Sequence, residues 1–461
     1  MDDIARHVDL ASLVESESAV DLSSDESGKA IHEFIAEMYP ICRSITGDGV
    51  RKTIDLIRNY IPLTTCEVPS GLQVFDWTVP PEWNVRDAYI KNSAGDRVVD
   101  FKKSNLHLLG YSVPMRARMT LDELKPHLYS DPERPDWTPY RTSYYEATWG
   151  FCLPHNQLLT MPEDDYEVCV DCSLEPGHLT YGDLRLLGHT SDEVLISCHI
   201  CHPSLCNDNL SGIAIATALA QHLRKMDLRY TYRFVFVPGT IGSITWLALN
   251  EAHVKRVKHG CVITCAGDAG PMTYKRSRRG NTEIDRAWSY VLEKSGEPYE
   301  IQEFSPYGYD ERQYCSPGFN LPIGAIMRTP YGKFAEYHSS ADNLDFVCPA
   351  ALRDTLAKTI AVIDVIENNA YYRTQKPFCE PRLGNYGLYN GLGGLTAGDF
   401  QMGLLWVLNM SDGESSLLDI AERAKLPWET IKQAAAALSR AGLINAAELD
   451  LKVSTIESSG R

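Results

Sequence analysis

Apolar residues recur at helical spacing at Ile31, Phe34, Ile35 and Met38, and again at Val50, Ile54, Ile57 and Ile61, which predicts two amphipathic helices. Residues 1–25 before them are polar and acidic and read as a flexible arm. Between 81 and 175 the texture changes to short alternating segments, as at 87–91 and 166–170, set among many Pro, Trp and Tyr residues; this predicts a β-rich insertion domain. Further on, apolar runs at 194–197, 232–237 and 262–265 read as strands, and 210–224, 244–253 and 284–294 as helices. That alternation predicts an α/β domain with a mostly parallel sheet, assembled from 26–80 and 176–378 and closed by a helix over 350–368. A glycine-rich linker over 384–394 leads to three short helices at 400–408, 417–422 and 428–441, with a Lys425-Leu426-Pro427 turn. Together they predict a C-terminal winged helix-turn-helix domain over 395–455.

Composition narrows the function classes. At 461 residues the chain holds more than one domain, and 44% hydrophobic with 23% charged residues is a globular balance. The net charge of −17 disfavours nucleic acid and anionic membrane as general partners. The would-be recognition helix offers only Lys432 and Arg440 beside Glu429 and four alanines, so the tail is expected to dock a partner or a second copy rather than DNA. With no membrane-length apolar run and no basic-apolar start, a cytoplasmic address is expected. Thirteen cysteines, an odd number in a long chain, do not make a disulfide framework.

Polar ligand chemistry gathers between Ser197 and Gly212. His199 and Asp208 flank a loop between a strand and a helix, where open α/β sheets place their sites. Asn209 can cap the helix and leave Asp208 free. Cys198, Cys201 and Cys206 lie close by, but their spacing does not match structural zinc motifs. Asp268 and His338 follow later strand ends and can converge on the same place, although each alone also reads as a turn or cap residue. The cluster Tyr140-Arg141-Thr142-Ser143-Tyr144-Tyr145 reads either as packing of the insertion or as a recognition surface.

The order of Asp208-Asn209-Leu210-Ser211-Gly212, Gly267-Asp268, Tyr309-Asp310-Glu311-Arg312 and Tyr337-His338-Ser339-Ser340-Ala341-Asp342 resembles the co-catalytic zinc aminopeptidases and their glutaminyl cyclase relatives. More closely, with Cys201-His202-Pro203-Ser204 and the run from Tyr274 to Gly280, the chain is similar to bacterial aminopeptidase-like proteins with a β-rich insertion and a C-terminal winged helix. The resemblance spans about residues 28–450. It implies that His199, Asp208, Asp268 and His338 hold zinc. Gly239 and Thr240 stand where those peptidases carry a glutamate pair, one a base and one a ligand, so one zinc ion is expected rather than two.

A base then has to come from elsewhere. The resemblance points first to Glu311, whose segment corresponds to a peptidase active-site loop, and then to Glu336. Tyr309, Asp310, Arg312, Arg278 and Arg279 are the expected substrate contacts, the arginines suiting a carboxylate or phosphate. The expected function is zinc-dependent hydrolysis of an amide bond in a small peptide-like or amino-acid conjugate. An acyl or aminoacyl transferase or cyclase, and a non-catalytic ligand-binding pseudo-peptidase, are the rival readings; a homo-oligomer is compatible with all three.

Overall fold

The computed structural model describes residues 25–388 and 398–447, so the acidic arm and most of the glycine-rich linker lie outside the described residues. The chain divides into two compact units, 1–360 and 361–461.

The first unit is organised by an eight-stranded sheet. Its order is Thr64–Pro69, His178–Leu186, Thr231–Val237, Glu193–His199, Val257–Ile263, Ile323–Met327, Met272–Lys275 and Tyr299–Gln302. The four central strands, from Thr231–Val237 to Ile323–Met327, run parallel. Glu193–His199 and Ile323–Met327 are buried along their whole length, as strands covered on both faces must be. Antiparallel pairings appear toward the edges, and the sheet is mixed. One cause is the insertion: the chain leaves along Thr64–Pro69 and returns along His178–Leu186 in direct antiparallel register, Pro69 opposite His178.

Between those two strands lies an antiparallel sheet in the order Arg97–Asp100, Glu82–Lys91, Asp165–Glu175, Met115–Thr120. Its inward residues Ile90, Tyr166 and Val168 belong to one apolar cluster with Leu195, Val235, Trp246 and Ile323 of the α/β layer, so the insertion shares the core of the unit. The helix Asp25–Met38 buries its apolar stripe, and Asp48–Arg58 buries Val50, Ile54 and Ile57, with Ile61 buried just past its end.

In the second unit, the helices Asp399–Met410, Leu417–Ala424 and Trp428–Arg440 are joined by a small sheet. The strand Tyr371–Thr374, which the hydrophobic pattern leaves at the end of the α/β segment, pairs there with both Asp412–Ser416 and Ile444–Ala446. On the last helix, Lys432 is held by Asp364 at 3.0 Å and by Glu429 at 2.8 Å. Among the described residues, no helix is long and apolar enough to cross a membrane.

Candidate metal centre

His199 is the last residue of its strand and is buried. The chain then turns through Cys201-His202-Pro203-Ser204 and a wholly buried turn, Cys206–Leu210, before the helix Ser211–Leu223 begins. This path returns Asp208 to the strand end. One Asp208 oxygen lies 2.9 Å from His199 Nε2; the other lies 3.0 Å from His338 Nε2 and 3.3 Å from His202 Nδ1.

Neighbours from distant parts of the chain hold each of these groups. Asn209 Oδ1 accepts the Gly212 N–H at 3.2 Å, while its Nδ2 donates to the Ile263 carbonyl at 3.0 Å, tying the helix start to the next strand. Arg43 donates from Nε to the His202 carbonyl at 2.9 Å. Tyr309 stacks on His199 at 4.5 Å, Tyr337 stacks on His338 at 3.9 Å, and Tyr140 meets His202 and His338 edge-on. His338 has a left-handed backbone, φ 53°, and the insertion stabilises it. The Tyr140 N–H donates to the His338 carbonyl at 2.7 Å and the Ser340 N–H to the Thr138 carbonyl at 2.8 Å.

The electrostatics suit a cation. Burial holds His199 and His338 below the ordinary imidazole value, so each is neutral with a lone pair to give. At His202 burial acts the same way, but the Asp208 charge outweighs it and raises the value. Burial opposes the charge on Asp208, yet His202, His199 and His338 keep its carboxyl well below the usual range. Donor atoms of His199, His202 and Asp208 all lie within 4.8 Å of one another. The neutral imidazoles of His199 and His338 beside the ionised carboxylate of Asp208 are donors a borderline divalent metal takes, and the residues fit zinc.

A cavity of about 300 Å³ opens over this cluster. His199, His202 and His338 line it together with Tyr140, Tyr144, Tyr309 and Tyr337; Arg141 and the Gly239-Thr240 pair complete the wall. A Cβ on Gly239 would stand 3.1 Å from His199 Cβ, tighter than most real contacts, which favours glycine beside the histidine.

Several expected site residues lie elsewhere. Asp268 does not join the cluster, because its carboxylate accepts from Asn207 Nδ2 at 3.0 Å, from Thr329 Oγ1 at 2.6 Å and from the N–H groups of Thr329 and Gly270 at 3.1 and 2.7 Å. Glu311 is buried in an ion pair with Lys275 at 2.8 Å and does not line the cavity. Glu336 is absent from the lining too; its carbonyl accepts the Ser339 hydroxyl at 2.8 Å. Arg278 and Arg279 are exposed, Arg278 reaching Asn320 at 3.0 Å, and neither lines the cavity, nor does Arg312. Of the expected substrate contacts only Tyr309 lines it. Asp310 is buried behind Gly239, accepts the Ser243 hydroxyl at 2.8 Å, and is pushed up to about 7, chiefly by burial. His202 and the Tyr140-Arg141 segment take places at the site that the spacing of motifs alone does not assign.

A family model described as a domain of unknown function, DUF4910, matches residues 32–369, and one described as a winged helix-turn-helix matches 370–446. The chain belongs to the DUF4910 family. A Clostridium acetobutylicum relative, named provisionally as a polysaccharide biosynthesis protein with an aminopeptidase-like domain, is 51% identical over 423 residues, covering 92% of this chain and 97% of its own. A crystal structure described provisionally as a peptidase from C. acetobutylicum superposes with a TM-score of 0.88 at 50% identity, over 92% of this chain and 97% of that one. The zinc aminopeptidase of Bacillus subtilis matches at a TM-score of 0.54 and 10% identity, over 74% of this chain and 95% of its own. These make the chain an aminopeptidase-like protein with a β-rich insertion and a C-terminal winged helix.

Proposed function

We propose that this chain is a zinc-dependent hydrolase of the aminopeptidase type, cleaving an amide bond in a small peptide-like or amino-acid conjugate. The observation behind this reading is the convergence of His199, His202 and His338 on the single carboxylate of Asp208, beneath a cavity at the carboxyl ends of parallel strands. His199, Asp208 and His338, with His202 beside them, would hold one ion. When bound, zinc supplies Lewis-acid polarisation of the amide carbonyl and acidifies water toward neutral pH. The protein's own part is positioning: Tyr309 and Tyr337 fix the planes of two imidazoles, and tyrosines line the wall of the cavity above them. The relative's name makes an amide carried by an amino sugar one of the conjugates to test.

One observation favours a second reading. No carboxylate is among the residues lining the cavity, and Gly239-Thr240 forms its wall. An acyl or aminoacyl transfer or cyclisation needs no water-activating base, so transfer is the alternative reaction on the same site.

Metal analysis of the purified chain and of His199→Ala is the first test. About one equivalent of zinc in the wild type, lost in the variant, is expected; no zinc in either overturns both readings. Aminoacyl-anilides, dipeptides and N-acyl amino sugars, offered with and without an amine acceptor, then separate hydrolysis from transfer by the product formed.

A further inference from the structure

The residues around the cavity carry one fixed cation and no anion at its surface. Arg141 lines the wall; the other lining residues are tyrosines, threonines, a cysteine, a glycine and the three histidines. Its guanidinium is exposed and has no hydrogen bond or ion pair among the described residues. Other arginines of this unit, Arg51, Arg86, Arg97, Arg134, Arg233 and Arg328 among them, pair with carboxylates, whereas Arg141 stands at the cavity wall without one.

The backbone beneath Arg141 is anchored. Its carbonyl accepts the Gly110 N–H at 2.9 Å, the Ser143 N–H donates to the Gly110 carbonyl at 2.9 Å, and the Tyr140 N–H holds His338 at 2.7 Å. The side chain thus extends from a fixed wall of the cavity that His338 also lines. A guanidinium left unpaired on an anchored backbone beside the candidate site is suited to an oxyanion, which it can grip with two parallel N–H bonds.

We infer that Arg141 forms an oxyanion subsite, so that the substrate of this cavity carries a carboxylate or phosphate group beside the reacting amide. The inference rests on the amide-cleaving reading above for the word substrate; the subsite itself rests on Arg141 and the cavity.

Calorimetry on the full-length chain as purified tests it with two matched pairs: N-acetylglycine against N-acetylglycinamide, and N-acetylglucosamine 1-phosphate against N-acetylglucosamine. The anionic member of at least one pair is expected to bind about 10-fold or more tightly than its neutral partner. The gap should shrink with added salt, vanish in Arg141→Ala and persist in part in Arg141→Lys. Which pair shows it distinguishes carboxylate from phosphate. Equal binding within both pairs overturns the inference. So does a preference that survives in Arg141→Ala and disappears on chelation, since the anion would then be binding the metal. An Arg141-dependent preference without amide cleavage keeps the subsite and removes the hydrolase reading, whereas cleavage without any preference does the reverse.

Discussion

Asp342 accepts the backbone N–H of Asp208 at 3.0 Å and that of Asn207 at 2.6 Å. A buried carboxylate four residues past His338 therefore fixes the turn that carries Asp208, coupling the two loops of the site. Groups that orient metal ligands from behind commonly contribute 10- to 100-fold in affinity. Asp342→Ala is expected to weaken zinc binding by roughly that factor while His199 and His338 stay in place. Competition against a chromophoric chelator reads the change; an affinity equal to wild type would show that the turn holds its shape without Asp342.

Glu311 and Lys275 form a pair whose side chains are 0% and 1% exposed. Lys275 also donates to the Tyr307 carbonyl at 2.6 Å, so its ammonium is built into the structure. Removing one charge of a buried pair leaves the other uncompensated and costs about 3–5 kcal/mol. Glu311→Gln is expected to lower unfolding stability by about that amount with zinc content unchanged, and pairing it with Lys275→Met should restore much of the loss. Denaturant titration with parallel metal analysis checks this. Loss of zinc at unchanged stability would return Glu311 to the metal site.

Much of the site is legible in the sequence because its loops follow strands with strong apolar runs. The run before His199 and the loop through Asp208 place both residues at a strand end, and the motif around His338 supplies a third group. Asp268 meets the same local criterion but is diverted by Asn207 and Thr329, partners that only the folded chain brings near. Arg43 and Tyr140 act on His202 and His338 across long stretches of sequence, and no local pattern announces such contacts. The aromatic cluster near Tyr140 was the available signal for a cavity wall. Strands such as Met272–Lys275 and Tyr299–Gln302, four residues each, are too short for periodicity to register, and Tyr371–Thr374 gains its identity from the strands it pairs with.

His259 lies far from this chemistry and sets an acid limit on the fold. It sits within the strand Val257–Ile263, 5% exposed, with Nδ1 lacking a hydrogen-bond partner among the described residues. Burial, aided by the charges of Arg229 and Lys258, pushes its value down to about 3. In the unfolded chain an imidazole titrates near 6.5. The folded value is depressed, so the neutral-histidine contribution is complete above about 6.5 and is lost as pH falls from there toward about 3. Over that window His259 should account for a stability slope of up to about 1.4 kcal/mol per pH unit, because the unfolded state takes up one proton that the folded state refuses. His259→Gln keeps a polar group of similar length and cannot titrate. Denaturant unfolding at pH 7, 6, 5 and 4 should show a shallower decline for the variant than for wild type, whatever their difference at pH 7. Parallel declines would mean that the imidazole is protonated in the folded chain, with the Glu283 carboxylate 3.9 Å from its Nε2 as the group to test next.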